Sequence, residues 1–199
     1  VDCFSTVSDV TAHECEELMD KKCHAVLPNG FEADFVPKAA EFKRKRKEAR
    51  EMILHIANCL TGCDFPEDAL IVGTSGRYEF RNKGIDVFIE AMNRLNRDRN
   101  LDKQVLALVE VPAWVGEPRE DLVERLCSPD RFDTPLDCPV ITHWLNDMSH
   151  DNVTGMMKYH DMWNRPEDKV KLIFVPCYLD GKDGVINISY YDVIDRKST

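Results

Sequence analysis

The sequence predicts an α/β protein whose parallel sheet is flanked by helices. Two apolar runs point to it: Val105-Leu106-Ala107-Leu108-Val109 and Val170-Lys171-Leu172-Ile173-Phe174-Val175 are hydrophobic almost throughout, as strands covered on both faces are. A third observation is the order Leu70-Ile71-Val72-Gly73, a glycine-punctuated loop, then Phe88, Ala91, Met92 and Leu95 at helical spacing, which is a β-loop-α unit.

The remaining elements follow in order. Cys3 to Val7 is β-prone, and Thr11-Ala12-His13-Glu14 has the form of a capping box, so a helix is expected from Ala12 to Met19. Ala25-Val26-Leu27 is a short strand stopped by Pro28-Asn29-Gly30. Pro37 in a first turn opens a long charged helix to about Leu60, with Phe42, Ala49, Met52, Ile53 and Ile56 mostly on one face and Gly62 at its end. Pro112 to Pro139, rich in Pro, Asp and Trp, reads as an insertion around a short helix, Glu120 to Cys127. Asp151 to Trp163 is expected to be a helix leading into the last strand.

With 199 residues, 43% hydrophobic and 31% charged, the chain suits one large domain or one domain plus part of another. A formal net charge of −10 argues against a general nucleic-acid binder, which needs a dominant positive field, so any phosphate site is local. No apolar run reaches the roughly eighteen residues of a membrane span, and the N-terminus lacks a leader pattern, so no membrane partner and a cytoplasmic setting are expected. The eight cysteines contain no Cys-x-x-Cys pair and read as reduced, mostly buried thiols.

The chemistry concentrates between Gly76 and Gly84. A strand ending near Gly73, a glycine-containing loop and a helix opening near Gly84 form the arrangement in which backbone N–H groups and the helix dipole face an anion. Arg77, Arg81 and Lys83 add cations: an Arg fork holds two phosphate oxygens, whereas Lys supplies a movable point charge. The loop is neither a Walker A motif nor a Gly-x-Gly-x-x-Gly fingerprint. On these residues alone, a phosphate site and a solvated turn are equally good readings.

Ser75-Gly76-Arg77-Tyr78-Glu79-Phe80 with Asn82-Lys83-Gly84, then Asp86, Phe88, Glu90-Ala91 and Arg94-Leu95-Asn96, resembles the opening of the C-terminal domain of fungal and animal-type glycogen synthases. Thr6-Val7-Ser8-Asp9-Val10-Thr11-Ala12 with Glu14, Pro28-Asn29-Gly30-Phe31, and Trp163-Asn164 with Asp168 to Phe174 and Pro176 agree in the same order, Pro112 to Ser149 being the loosest part. The resemblance implies a GT-B glycosyltransferase of two Rossmann-like domains. Residues 1–30 would be the end of the first domain and the hinge, and 31–199 the first, truncated part of the nucleotide-sugar-binding domain.

It also implies the roles. Arg77 and Lys83 would stabilise the leaving diphosphate, and Gly76, Arg77, Lys83 and Gly84 would form the donor phosphate loop. The reaction would transfer glucose from UDP-glucose or ADP-glucose to the non-reducing end of an α-1,4-glucan with retention. No cofactor and no metal are expected, the cations taking the place of a divalent ion. The family's Tyr-Glu-Pro-Trp-Gly-Tyr segment and its N-terminal Gly-rich loop do not occur in these residues, so the chain is expected to be an interior piece, inactive alone, with Tyr190-Tyr191-Asp192 leading toward the missing carboxylate. A homo-oligomer in the full-length protein is left open. The alternatives are a sucrose- or trehalose-type enzyme of the same fold, or a non-catalytic nucleotide- or glycan-binding module.

Other conspicuous residues have plainer readings. His13-Glu14-Cys15-Glu16-Glu17 lacks the second His of a zinc-protease helix. Lys43-Arg44-Lys45-Arg46-Lys47 is interleaved with Glu41, Glu48 and Glu51 and reads as a solvated face. His143, His150 and His160 with Met148, Met156 and Met157 match no compact metal site. Thr142-His143 is expected to be structural, and Trp114 and Trp144 to anchor the insertion.

Overall fold

The computed structural model describes residues 2–30 and 38–188; the expectations placed on Phe31, Pro37 and Tyr190-Tyr191-Asp192 lie outside them. The chain divides into two compact units, Val1–Pro37 and Lys38–Thr199.

The first unit contains β1 (Ser5–Thr6), α1 (Asp9–Met19) and β2 (Ala25–Val26). The two strands pair in parallel, Ser5 opposite Ala25 and Thr6 opposite Val26. Helix α1 begins earlier than the capping-box reading placed it. Ser8 is the cap: its backbone is extended and its Oγ accepts from the Thr11 N–H at 3.1 Å. Thr11 is therefore an inner partner of the cap, its hydroxyl 2.9 Å from Ser8 Oγ.

The second unit runs α2 (Ala39–Thr61), β3 (Leu70–Ser75), α3 (Ile85–Asn96), β4 (Val105–Glu110), β5 (Val115–Pro118), α4 (Glu120–Leu126), β6 (His143–Leu145), α5 (Asn152–Tyr159) and β7 (Val170–Val175). Strands β3, β4 and β7 form a parallel sheet in that order, with Ser75 level with Glu110 and Glu110 level with Val175. Every residue of β4 and β7 is buried, as their near-continuous hydrophobicity suggests. Lys171, buried inside β7, is accommodated because its ammonium donates to the carbonyls of Arg165 and Asp168.

Strand alternation sorts the core onto two faces. Ile71, Leu106, Leu108 and Ile173 pack with Ile53, Ile56 and Leu60 of α2. Val105, Ala107, Val109 and Phe174 pack on the other side with Ile85 and Ile89 of α3 and Val153 and Met157 of α5. Met52 and Ala91, assigned to buried faces by spacing, are exposed. The basic run of α2 is tied into the ladder Lys45–Glu41, Arg44–Glu48 and Lys47–Glu51, the solvated face its charge pattern suggests.

Three features were not anticipated. Residues 140–142 extend the sheet beyond β7: Phe174 N–H donates to the Val140 carbonyl at 2.7 Å and Thr142 N–H to the Phe174 carbonyl at 3.1 Å. Strands β5 and β6 pair antiparallel in and beside what read as an insertion around one short helix. Helix α5 stops at Tyr159 rather than running to Trp163, because Asp161 turns left-handed (φ 59°) and Met162 N–H closes back to the Met157 carbonyl at 2.9 Å. The cysteines are free, but only Cys59 and Cys177 are buried, fewer than expected.

Candidate functional site

The loop between β3 and α3 sits at the carboxyl edge of the parallel sheet, where α/β folds bind ligands. Its sequence alternates in purpose. Tyr78 and Phe80 turn inward against the α3–α5 core, with the Tyr78 ring 6.1 Å from that of Phe174, while Arg77, Arg81, Asn82 and Lys83 are exposed. Gly76 (φ 140°) lets the chain leave β3, and Gly84 (φ 66°) lets it enter α3; both conformations strain any residue with a Cβ.

Tyr78 fixes the loop. Its hydroxyl donates to the Asp151 carboxylate and accepts from the Val153 N–H at 3.2 Å, and Asp151 also caps α5 by accepting from Thr154 N–H at 2.8 Å. Burial, followed by the hydrogen bond to Asp151, raises the pKa of this phenol and keeps it protonated.

One part of the anion-site expectation is altered. The first amides of α3 are already used: those of Ile85 and Asp86 donate to the Phe80 carbonyl at 3.0 and 3.3 Å, and that of Val87 to the Asp86 carboxylate at 2.9 Å. The loop therefore offers an anion its side-chain cations rather than these three N–H groups. Arg77 is 79% exposed with its Nε 3.1 Å from Glu79, which leaves the terminal guanidinium nitrogens directed to solvent. Arg81 and Lys83 make no ion pair among the described residues.

A cleft of about 460 Å³ opens where β3, β4 and β7 end. It is lined by Gly76 and Arg77 after β3, Glu110 and Pro112 at the end of β4, and Cys177 to Asp180 after β7. Of the four loop residues singled out by sequence, Gly76 and Arg77 line this cleft, whereas Lys83 and Gly84 lie beyond its lining.

Sequence reading missed Glu110 and the loop after β7. The wall from Cys177 is held by His143: its Nε2 donates to the Asp183 carbonyl at 2.8 Å and its Nδ1 lies 3.0 Å from Thr142 Oγ1. His143, Cys177 and Asp183 place ligand-type atoms within 4.8 Å of one another. Their hydrogen bonds describe a clamp, since both imidazole nitrogens have partners and the Asp183 carboxylate accepts from the amides of Val185, Ile186 and Asn187. Burial pushes the Cys177 thiol up to about 12, away from the thiolate form. His150 and His160 stand apart, the first against Asp147 and the second against Asn93.

The model of the glycogen synthase family matches residues 1–118. The chain belongs to the glycogen synthase family. It is similar to the glycogen [starch] synthase of Neurospora crassa (27% identical, covering 97% of this chain and 35% of that protein) and to isoform 2 of Saccharomyces cerevisiae (26% identical, 97% and 36%). The human liver glycogen [starch] synthase is 26% identical over 96% of this chain and 35% of its own length. The chain thus spans about a third of the length of the curated relatives it matches. The alignments to the fungal proteins run over 249 and 255 positions although the chain has 199 residues, so these relatives contain stretches without a counterpart here. The family match ends at Pro118, the last residue of β5, inside the region where motif agreement is loosest.

Proposed function

We propose that this chain supplies the donor-phosphate side of a retaining glucosyltransferase, which moves glucose from UDP-glucose or ADP-glucose to the non-reducing end of an α-1,4-glucan. The observation that carries the reading is an exposed Arg77, beside a half-buried Tyr78 on a pinned loop, at the mouth of a cleft on the carboxyl edge of a parallel sheet. Family membership supports the same chemistry.

When the bond from glucose C1 to the diphosphate breaks, the sugar becomes oxocarbenium-like and negative charge grows on the departing phosphate. A guanidinium fixed before the reaction stabilises that charge without reorganising water. Lys83, on a flexible stem, adds a second charge, and Gly76 and Gly84 give the loop the bends that present both. In this reading fixed cations do the work that a divalent ion does elsewhere. Residues 1–30 are the end of the first Rossmann-like domain with the hinge, and 31–199 begin the nucleotide-sugar domain. None of the described helices is long and apolar enough to cross a membrane. The reaction is placed in the cytoplasm, with nucleotide sugar and α-glucan as partners.

The test is glucose transfer to glycogen by a protein carrying this chain within the full length of its relatives. Arg77→Ala and Lys83→Ala are each expected to lower turnover by roughly 10²–10³. Unchanged turnover in both would remove the role given to them.

A further inference from the structure

Two of the three tryptophans, Trp114 and Trp144, are open to solvent on one face of the β5–β6 ribbon. Trp114, expected to anchor the insertion, is 76% exposed, and Trp144 is 38% exposed although its indole rests on the Arg119 guanidinium. A lone exposed aromatic needs no explanation, but these two are neighbours. In β6 the exposed Trp144 alternates with the buried His143 and Leu145, and Asn146 follows as the next exposed residue. Val115 lies opposite Leu145, and the Asn146 N–H donates to the Trp114 carbonyl at 3.1 Å, which sets Trp114 opposite Asn146. Opposed residues of an antiparallel pair lie on the same side, and Trp144 is the diagonal neighbour of Trp114 on that side.

The chemistry of this face narrows its occupant. Residues 114–116 and 144–146 are Trp-Val-Gly and Trp-Leu-Asn, without an ionised group, which suits a neutral ligand rather than a nucleic acid. Two indoles so exposed offer roughly 300 Å², well short of the about 800 Å² per partner of a stable protein interface. A pyranose ring meets both conditions, being small and uncharged, and its C–H face complements the negative face of an indole. Its hydroxyls find the Asn146 amide, whose Nδ2 is held by the carbonyls of Trp114 (3.3 Å) and Val115 (3.0 Å) and whose oxygen is an acceptor. Packing on Arg119 fixes the Trp144 ring in advance, so stacking on it costs little side-chain entropy. The face also adjoins the cleft: Pro112, in the cleft lining, is two residues from Trp114, at most about 7 Å of chain. The Ala113 N–H between them is tied to the Pro176 carbonyl at 2.9 Å.

We propose that Trp114, Trp144 and Asn146 form a docking platform for the α-glucan acceptor at the rim of the cleft, the indoles stacking on its glucose rings. The platform takes its occupant from the glucosyltransferase reading and adds a place that holds the polymer. Chain ends then stay near the cleft at a high local concentration.

Electrophoresis of the chain through gels containing glycogen, with titration of its indole fluorescence by maltoheptaose, tests the platform. The wild-type chain is expected to be retarded by glycogen and to change its fluorescence on adding maltoheptaose. Trp114→Ala, at an exposed site where truncation leaves the fold intact, is expected to weaken both responses about tenfold. A wild-type chain that lacks either response overturns the proposal, as does an undiminished response in Trp114→Ala. A wild-type dimer that Trp114→Ala dissolves would give the face to a second copy and overturn it too. The phosphorus resonances of UDP report the donor reading separately. Retardation by glycogen without a UDP response upholds the platform and removes the donor-phosphate site; a UDP response without retardation does the reverse.

Discussion

Arg77 and Arg119 use the same side chain for opposite ends. Arg77 stands 79% exposed in the β3–α3 loop, with one carboxylate beside its Nε and its terminal nitrogens free to meet a ligand. Arg119 is 0% exposed, and its five hydrogen bonds are spent on Asp121 (3.0 and 2.6 Å) and on the carbonyls of Asp137 (2.6 Å), Cys138 (2.7 Å) and Ile141 (3.3 Å). The indole of Trp144 covers its guanidinium at 4.3 Å. An arginine whose donors are consumed holds the fold; one whose donors remain is available for recognition. The chain from β5 to β6 has little secondary structure of its own, and Arg119 is the hub around which it is wrapped.

The sharpest way to break this contrast is to remove each guanidinium. Arg119→Ala strands three carbonyls and Asp121, and is expected to cost about 3–5 kcal/mol, read as a lower midpoint in urea unfolding. Arg77→Ala is expected to change stability by no more than about 0.5 kcal/mol, because its site is exposed. Equal losses in the two variants would mean that Arg77 is structural too.

Backbone strain gives an intermediate effect. Nothing lies within 4 Å of a Cβ placed on Gly76 or Gly84, so alanine there meets no steric clash and costs only the left-handed backbone conformation, about 1–2 kcal/mol. Phosphate binding should suffer more than thermal stability does, since these bends aim the cations. Stability lost with phosphate binding unchanged would contradict the aim assigned to the bends.

Tyr78→Phe is a smaller change, expected at about 0.5–1.5 kcal/mol, with a characteristic pH signature. The folded phenol has a raised pKa, so its contribution is fully present below the unfolded value of about 10 and is lost as pH rises past it. The phenylalanine variant should lack that alkaline decline in thermal midpoint. Asp121 shows the mirror case and the smallest effect. Its hydrogen bond to Arg119 depresses its pKa, so its contribution is present above about 4 and lost as pH falls through the lower folded value. Asp121→Asn should flatten the acid limb around the Arg119 hub and leave the Tyr78 limb unchanged.

The two regions also differ in how far the sequence reveals them. The β3–α3 loop is legible because its signals are local: an apolar run, two glycines and three cations within a few residues, with a motif recognisable as a family's. Strands β4 and β7 are legible for the same reason, their burial being written as near-continuous hydrophobicity that only Glu110 and Lys171 interrupt. Arg119 is opaque because its partners lie up to 22 residues away along the chain, and nothing near it distinguishes it from any surface arginine. His143 is tied to Asp183, 40 residues on, and the strand at 140–142 exists only because β7 arrives beside it later. The ends of helices fail at close range instead. Asp161 takes a left-handed role usually given to Gly, so the end of α5 carries no residue signal. Glu110 was legible as a letter but not as part of the cleft, since only the pairing of β3 with β4 brings it level with Ser75 at the end of β3.

Phosphorus NMR of UDP on addition of the chain tests the central claim most directly. The wild-type protein should shift and broaden the diphosphate resonances, while Arg77→Ala should leave them near their free positions and Arg119→Lys should retain the response if its fold persists. A diphosphate response that is undiminished in Arg77→Ala, or absent from the wild-type chain, would contradict the account.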